Sequence, residues 1–494
     1  MREIQLAFIS NRTTKRLFRI LSVIERERQI TLNSLAEKIQ VTQRTVANDL
    51  KYIKEYFGSS ITLSSGNSGY IFKEKVASVY HEKKQILLKN ECLFEIIGDI
   101  FHGRFNKIDD LAHKYHFSAS TFRRLLIQCS TILDSYELQW GTNLLTIEGS
   151  EANLRKFFKD FYYEGIETAY TIVPEPELHE LIFNQLSSKL KRHEIGSGVT
   201  PTAFYYTVYI AVKRAGLGFE ITVPEELAQW AYEGKSFPLL YSLKEGIRKI
   251  YGVTLSKEEF AWIYLVTICK RTFGCEAQEK KFCEQFHEGA DIVQVTDDFL
   301  KEQGITTDLV HKAAPFFRSF FLSRQINNWL APVLNKEADD FKKAIRRTRR
   351  EVYRYNLQFL TQNNQRLFSS HTLVPYLEDI CVSLTLYCEL ILDVCSPKKT
   401  IYFLLEGDHF ICQQIRLRAT QQFGDKHVLT FISLQYLTKE VLKNASIDLV
   451  VTNYKRNLLD YITETEYVLI KAVPDEQDWD HLERKINPYR KKLL

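Results

Sequence analysis

The sequence predicts a multidomain, mainly helical chain that opens with two related helical units and closes in a small α/β unit. Three observations carry this reading. A segment near the N-terminus recurs at an offset of 76 residues, apolar residues recur at three- and four-residue spacing through the middle, and short β-branched runs alternate with helical ones after Pro397. At 494 residues the chain suits three to five domains, given roughly 100–200 residues in each.

Composition narrows the class. With 45% hydrophobic and 26% charged residues and only 11 prolines, the chain is globular without long disordered linkers. No apolar run approaches the ~18–20 residues that span a bilayer. The opening "MREIQLAFISNRTTKR" lacks the apolar core and cleavage site of a signal peptide, so a cytoplasmic protein without a membrane partner is expected. Nine cysteines are scattered without a C-x-x-C pair. Cys381, Cys388 and Cys395 recur every seven residues on one helical face, as buried core thiols rather than metal ligands.

Charge is uneven. Residues 1–150 hold 21 Lys and Arg against 16 Asp and Glu, so the whole net charge of +5 lies there and the rest is neutral. An anionic partner for the first third follows.

The repeat lies in that basic third. "LAEKIQVTQRTVANDL" (Leu35–Leu50) aligns without a gap on "LAHKYHFSASTFRRLL" (Leu111–Leu126). In each copy a short helix ends near Ile39 or Tyr115, and an apolar plug follows the turn (Val41, Phe117). A hydroxyl (Thr42, Ser118) then caps the next helix by accepting from its free backbone N–H groups. Apolar-periodic helices precede (Leu17–Glu25, Cys92–Phe101), and "ITLSSGNSGYIF" and "LQWGTNLLTIEG" follow as strand-turn-strand segments. This is a winged helix-turn-helix, present twice.

The outward face of each second helix is the candidate DNA reader. Val46, Leu50 and Ile53 point inward, leaving Gln43, Arg44, Thr45, Asn48 and Lys51 on the outer, N-terminal part of the helix. Arg reads guanine, Asn or Gln reads adenine, and Lys binds phosphate. The second copy offers Ser120, Arg123 and Arg124, with Ile127 where the first has Lys51. His113 and His116 are spaced i, i+3 there with no third ligand nearby, so no metal is expected.

From about Ser150 to Ser396 helical periodicity dominates, as in "EANLRKFFKDFYYEGI", "TAFYYTVYIAVKRAGLG", "SKEEFAWIYLVTICKR" and "LVPYLEDICVSLTLYCELIL". Breaks fall at Val173–Glu177, Glu194–Pro201 and Val394–Lys399. The basic run Arg346–Arg350 lies inside a helical pattern and reads as a solvated or subunit-facing helix edge. Beyond Pro397, "TIYFLLEG", "HVLTFI", "IDLVVTNY" and "EYVLIKAV" alternate with helical segments, predicting a small parallel α/β domain. Asp408 and His409 follow its first strand, where such folds place chemistry. Adjacent residues at a helix start make a poor acid/base pair, and a single glycine is no phosphate loop.

The combination resembles the Mga/AtxA-type transcriptional regulators of Gram-positive bacteria, most specifically through "IEGSEANLRKFF" (Ile147–Phe158), at the join between the second winged helix and the first helical domain. The resemblance covers the whole chain by domain order. It implies winged helices at 1–75 and 76–150, and helical PTS regulation domains (PRDs) at 151–284 and 285–396. At 397–494 it implies an α/β domain similar to the IIB domain of sugar phosphotransferase permeases. It also implies promoter DNA as partner, a homodimer assembled through the IIB-like domain, and phosphotransferase phosphocarrier proteins as further partners. The PRDs of this family can be phosphorylated on histidine; here Thr207 and Leu265 or Val266 stand at the matching positions, which leaves His193 and His371 as candidate phosphorylation sites ahead of His287 and His311. Cys412 lies inside the helix, away from the position of the IIB phosphocysteine, so no catalysis and no cofactor are expected. The alternative is a phosphotransferase phosphocarrier or enzyme component, or a PRD-containing RNA-binding antiterminator.

Overall fold

Asn11 starts the first long helix: its Oδ1 accepts from the backbone N–H groups of Thr13 (2.9 Å) and Thr14 (3.1 Å). In the computed structural model, residues 1–66, 69–190, 199–271, 275–303, 307–395, 398–432, 447–455 and 466–486 are described. After a short α1 (Glu3–Leu6), α2 spans Arg12–Glu27 and buries Leu17, Phe18, Ile20, Leu21 and Ile24. α3 (Leu32–Ile39) and α4 (Gln43–Phe57) complete the three-helix layer. β1 (Gln29–Ile30) pairs with β3 (Gly69–Glu74), which pairs with β2 (Ile61–Gly66), all antiparallel. Gly69 has φ +112°, and a Cβ there would lie 2.5 Å from the Ile30 carbonyl oxygen, so only glycine lets β1 close on the wing.

α5 (Ala77–Leu87) packs back on this first unit, its Tyr80 hydroxyl donating to Glu25 at 2.5 Å. The second unit repeats the plan with α6 (Cys92–Phe101), α7 (Ile108–Lys114) and α8 (Ala119–Asp134). Its wing is reduced to β4 (Gln139–Trp140) and β5 (Ile147–Glu148), with Leu144 bridging to Lys107.

The middle is helical throughout its described residues. α9 (Glu151–Lys159) runs into a π-helical turn, Asp160–Glu164. It is followed by α10 (Pro176–Leu190), α11 (Pro201–Gly216), α12 (Glu225–Glu233), α13 (Phe237–Tyr241), α14 (Lys244–Tyr251) and α15 (Lys257–Ile268). α16 (Glu276–Gln285) crosses residue 284, where a domain boundary was expected, and packs on α18 (Thr307–Leu330), the helix after α17 (Ala290–Glu302). α19 (Asp339–Thr348) and α20 (Arg350–Gln362) are separate helices broken at Arg349 (φ −129°, ψ 36°), so the basic run is not continuous helix as expected. The cause is tertiary. Arg346 pairs with Glu378, and Arg349 with Glu389, both on α22 (Leu377–Cys395), which follows α21 (Asn364–Phe368). Cys381 and Cys388 are buried on one face of α22, and the side chain of Cys395 lies outside the described residues.

One contiguous apolar core runs from Leu6 to Ile391 through both winged units and the helical middle. A second, separate core belongs to the C-terminal sheet. There β6 (Thr400–Leu404) lies between β7 (Val428–Phe431) and β8 (Leu449–Thr452), and β9 (Tyr467–Leu469) adds beyond β8, giving the order β7-β6-β8-β9, all parallel. α23 (His409–Phe423) follows β6, and α24 (Glu476–Ile486) closes the domain through Trp479, Leu482 and Ile486. The helix expected over 435–444 lies outside the described residues.

Candidate nucleic-acid interface

The two turns match atom for atom. Gln40 and His116, 76 residues apart, both take the left-handed conformation (φ 60° and 58°). That geometry returns the next backbone N–H to the helix just ended, Val41 to Ala36 at 3.1 Å and Phe117 to Ala112 at 2.8 Å. Thr42 and Ser118 then accept from the N–H of Thr45 and Thr121, each at 3.2 Å. A turn held at both ends fixes the second helix rigidly against the first.

The two second helices bury what the sequence expects. Val46, Leu50 and Ile53 of α4, and Phe122 and Leu126 of α8, are buried. Gln43, Arg44, Asn48 and Lys51 are exposed and Thr45 is half-buried; in α8, Ser120, Arg123 and Arg124 are exposed. Their surroundings differ. Gln43 donates to Asn33 Oδ1 of α3 at 2.8 Å, which orients its amide, whereas Arg44 forms no ion pair among the described residues. Arg123 reaches Asp109 at 3.2 Å, while Arg124 touches only the Thr121 hydroxyl at 3.4 Å. Ile127 is 67% exposed on the second helix, an apolar patch where the first carries Lys51.

Sequence reasoning missed one residue on these helices. Asp49 of α4 is buried, and Arg16 of α2 donates to both its oxygens, Nε to Oδ2 at 2.5 Å and Nη2 to Oδ1 at 3.0 Å. Its position three residues after Val46 and four before Ile53 could have placed it on the buried stripe.

The other candidate sites separate. Thr207 is buried, donates to the Ala203 carbonyl at 2.8 Å and accepts from Lys159 at 2.7 Å, and Leu265 and Val266 are core residues. His371 is exposed in the loop before α22; His193 lies outside the described residues. Asp408 spends Oδ1 on capping α23, accepting from Phe410 N (2.9 Å) and Ile411 N (3.1 Å). Burial raises the Cys412 thiol, and Glu406 and Asp408 add to the rise, which disfavours the thiolate. Among the described residues no group of three His, Cys, Asp or Glu could hold a metal, and no helix is long and apolar enough to cross a membrane.

Two capped helix-turn-helix units, each backed by an antiparallel wing, define a DNA-binding transcription regulator. Residues 79–162 match the Mga helix-turn-helix domain, and residues 16–71 match a helix-turn-helix domain. The chain is 20% identical over 484 residues to a trans-acting regulator of Streptococcus pneumoniae serotype 4, covering 90% of this chain and 92% of that one. It is 22% identical over 494 residues to the anthrax toxin expression trans-acting positive regulator of Bacillus anthracis, covering 95% and 98%. Against the capsule synthesis positive regulator AcpA of the same organism it is 23% identical over 241 residues, 48% of this chain and 49% of that one. The two matched domains and the near full-length likeness to these regulators support an Mga/AtxA-type regulator.

Proposed function

We propose that the chain activates transcription by gripping promoter DNA with the outer faces of α4 and α8. Gln43, Arg44, Thr45, Asn48, Ser120, Arg123 and Arg124 meet base edges and backbone, and Lys51 meets phosphate. The observation that carries this is the matched pair of caps and left-handed turns, which presents two basic helices in the same rigid setting. Activation is supported by the relatives' names as positive regulators. The helical middle serves as a pair of PRD-like regulatory domains, with His193 and His371 as candidate phosphorylation sites for phosphotransferase partners. The parallel C-terminal sheet supports a IIB-like domain used for homodimerisation, and we assign the protein no catalytic role and a cytoplasmic location.

A gel shift with promoter DNA across salt concentrations tests the grip, comparing wild type with Arg44→Ala and Arg124→Ala. Both substitutions are expected to weaken binding; unchanged affinity in both would move the interface elsewhere.

A further inference from the structure

A cavity of about 220 Å³ opens between α9, α11 and α15. One wall is apolar, built from Ile210, Trp262, Val266 and Leu334; the other carries Arg155, Lys156, Lys159 and Lys270 against only Asp160 and Glu164.

The charges do not cancel locally. Arg155 is spent on Glu259, at 2.6 and 2.8 Å, and on Glu151 at 2.9 Å. Lys156 and the Tyr136 hydroxyl (2.8 Å) hold Asp160, and Arg2 holds Glu164 at 2.6 Å. Lys159 reaches only the Thr207 hydroxyl, at 2.7 Å. The ammonium of Lys270 makes no hydrogen bond or ion pair among the described residues. Two half-buried ammonium groups therefore share the site with no direct ion-pair partner among the described residues; Asp160, Glu164 and Glu337 attract them from nearby without pairing, an arrangement that an entering anion would improve. Burial first, and then the charges of Lys270 and Lys156, push the Lys159 ammonium down to about 7. A bound anion would reverse that shift.

We propose that this cavity binds a small phosphate monoester, its phosphate between Lys159 and Lys270 and its carbon body against Trp262, Ile210 and Val266. Two ammonium groups match a dianion, and the apolar wall calls for more than a bare ion. The volume lies below the roughly 300–1,000 Å³ of drug-sized pockets, which limits the body to a few carbons. The Tyr163 and Thr200 hydroxyls, 2.7 Å apart, also line the cavity and can donate to the ligand. The site stands independently of DNA binding, and its test uses no DNA.

The test is calorimetry and thermal unfolding of the full chain at fixed ionic strength, titrated with glycerol 3-phosphate, ribose 5-phosphate, inorganic phosphate and glycerol. At least one ester is expected to bind saturably and raise the melting temperature, about tenfold more tightly than inorganic phosphate, while glycerol does nothing. Lys159→Met and Lys270→Met each remove a half-buried ammonium that has no ion-pair partner among the described residues, so both should fold with an unchanged or higher melting temperature and lose at least tenfold in ester affinity. Lys159→Arg should retain binding, and Lys280→Met, at an exposed lysine paired with Glu276, should match wild type. Equal binding of inorganic phosphate and both esters would overturn the carbon-body assignment. No binding of any phosphate, or binding undiminished in both Met variants, would overturn the site.

Discussion

Asp49 turns inward from α4, the helix proposed to read DNA, and accepts both guanidinium hydrogen bonds that Arg16 offers from α2. The pair ties the reading helix to its support. It also withdraws the one acidic residue of Gln43–Lys54 from the face that presents Arg44 and Lys51. Asp49→Ala would leave a half-buried guanidinium without its carboxylate, at a cost of about 1–2 kcal/mol after allowing for solvent screening. Thermal unfolding should begin earlier in this variant. DNA affinity, measured well below that transition, should stay within a few-fold of wild type, because no outward group is lost.

The two recognition helices should contribute unequally. Arg44 has no carboxylate partner among the described residues, whereas Arg123 must give up Asp109 to reach DNA. Arg44→Ala should therefore cost about 1–3 kcal/mol if it reads a base. Lys51→Ala should lower the salt slope by about one phosphate contact with little change in sequence preference. Asp109→Ala removes both a competitor for Arg123 and a negative charge near phosphate, so it should tighten binding. Equal or weaker binding by Asp109→Ala would place Arg123 off the DNA.

Residues 1–9, which carry no motif, lock the second winged unit to the helical middle. The Gln5 side chain donates to the carbonyls of Phe161 (3.1 Å) and Ile166 (2.9 Å) and accepts from Ile166 N at 2.9 Å. Phe8 is fully buried among Trp140, Phe157 and Phe161, with ring centroids 6.3, 5.9 and 5.4 Å away. Phe8→Ala should cost about 3–5 kcal/mol, and Gln5→Ala about 1–3 kcal/mol from unpaired backbone groups. Limited proteolysis near residues 141–166 should accelerate in both.

These locks mark where the sequence stops being legible. Local chemistry was readable: Thr42 and Ser118 cap their helices, Val46 and Leu50 face inward, and the four C-terminal strands lie where β-branched runs placed them. Each of those signals is complete within a few residues. Asp49, Arg155 and Glu259 carry no local signal of their partners in the sequence; all three are buried with partners on other elements, up to 104 residues away. Periodicity cannot register such pairs. The cavity beside Lys159 was hidden for the same reason: its walls come from helices distant in the chain, and Thr207 entered the reading only through a family likeness. The small second wing is a milder case, since a six-residue turn between β4 and β5 looks like strand in "TNLLTIEG".

Lys159 gives the pH dependence a definite sign. Its ammonium titrates near 7 in the folded protein, lowered first by burial and then by Lys270 and Lys156, against an ordinary value of 10.5. Asp160 and Glu164 oppose the shift without cancelling it, and Thr207 supplies only a hydroxyl. Between pH 7 and 10.5 the unfolded chain therefore holds more protons at this residue than the folded one. Stability contributed by this group rises with pH through that window, by at most about 1.4 kcal/mol per pH unit for one proton. Below pH 7 both states are protonated and the contribution is flat. Chemical unfolding from pH 6 to 9 should show wild type gaining on Lys159→Met as pH rises, with the variant more stable at the acid end. A difference between the two that does not change with pH would mean the ammonium is solvated and titrates as an ordinary lysine. With a phosphate ester bound, the folded-state value should climb and the wild-type rise should flatten, a response that a lysine serving only to hold Thr207 would not give.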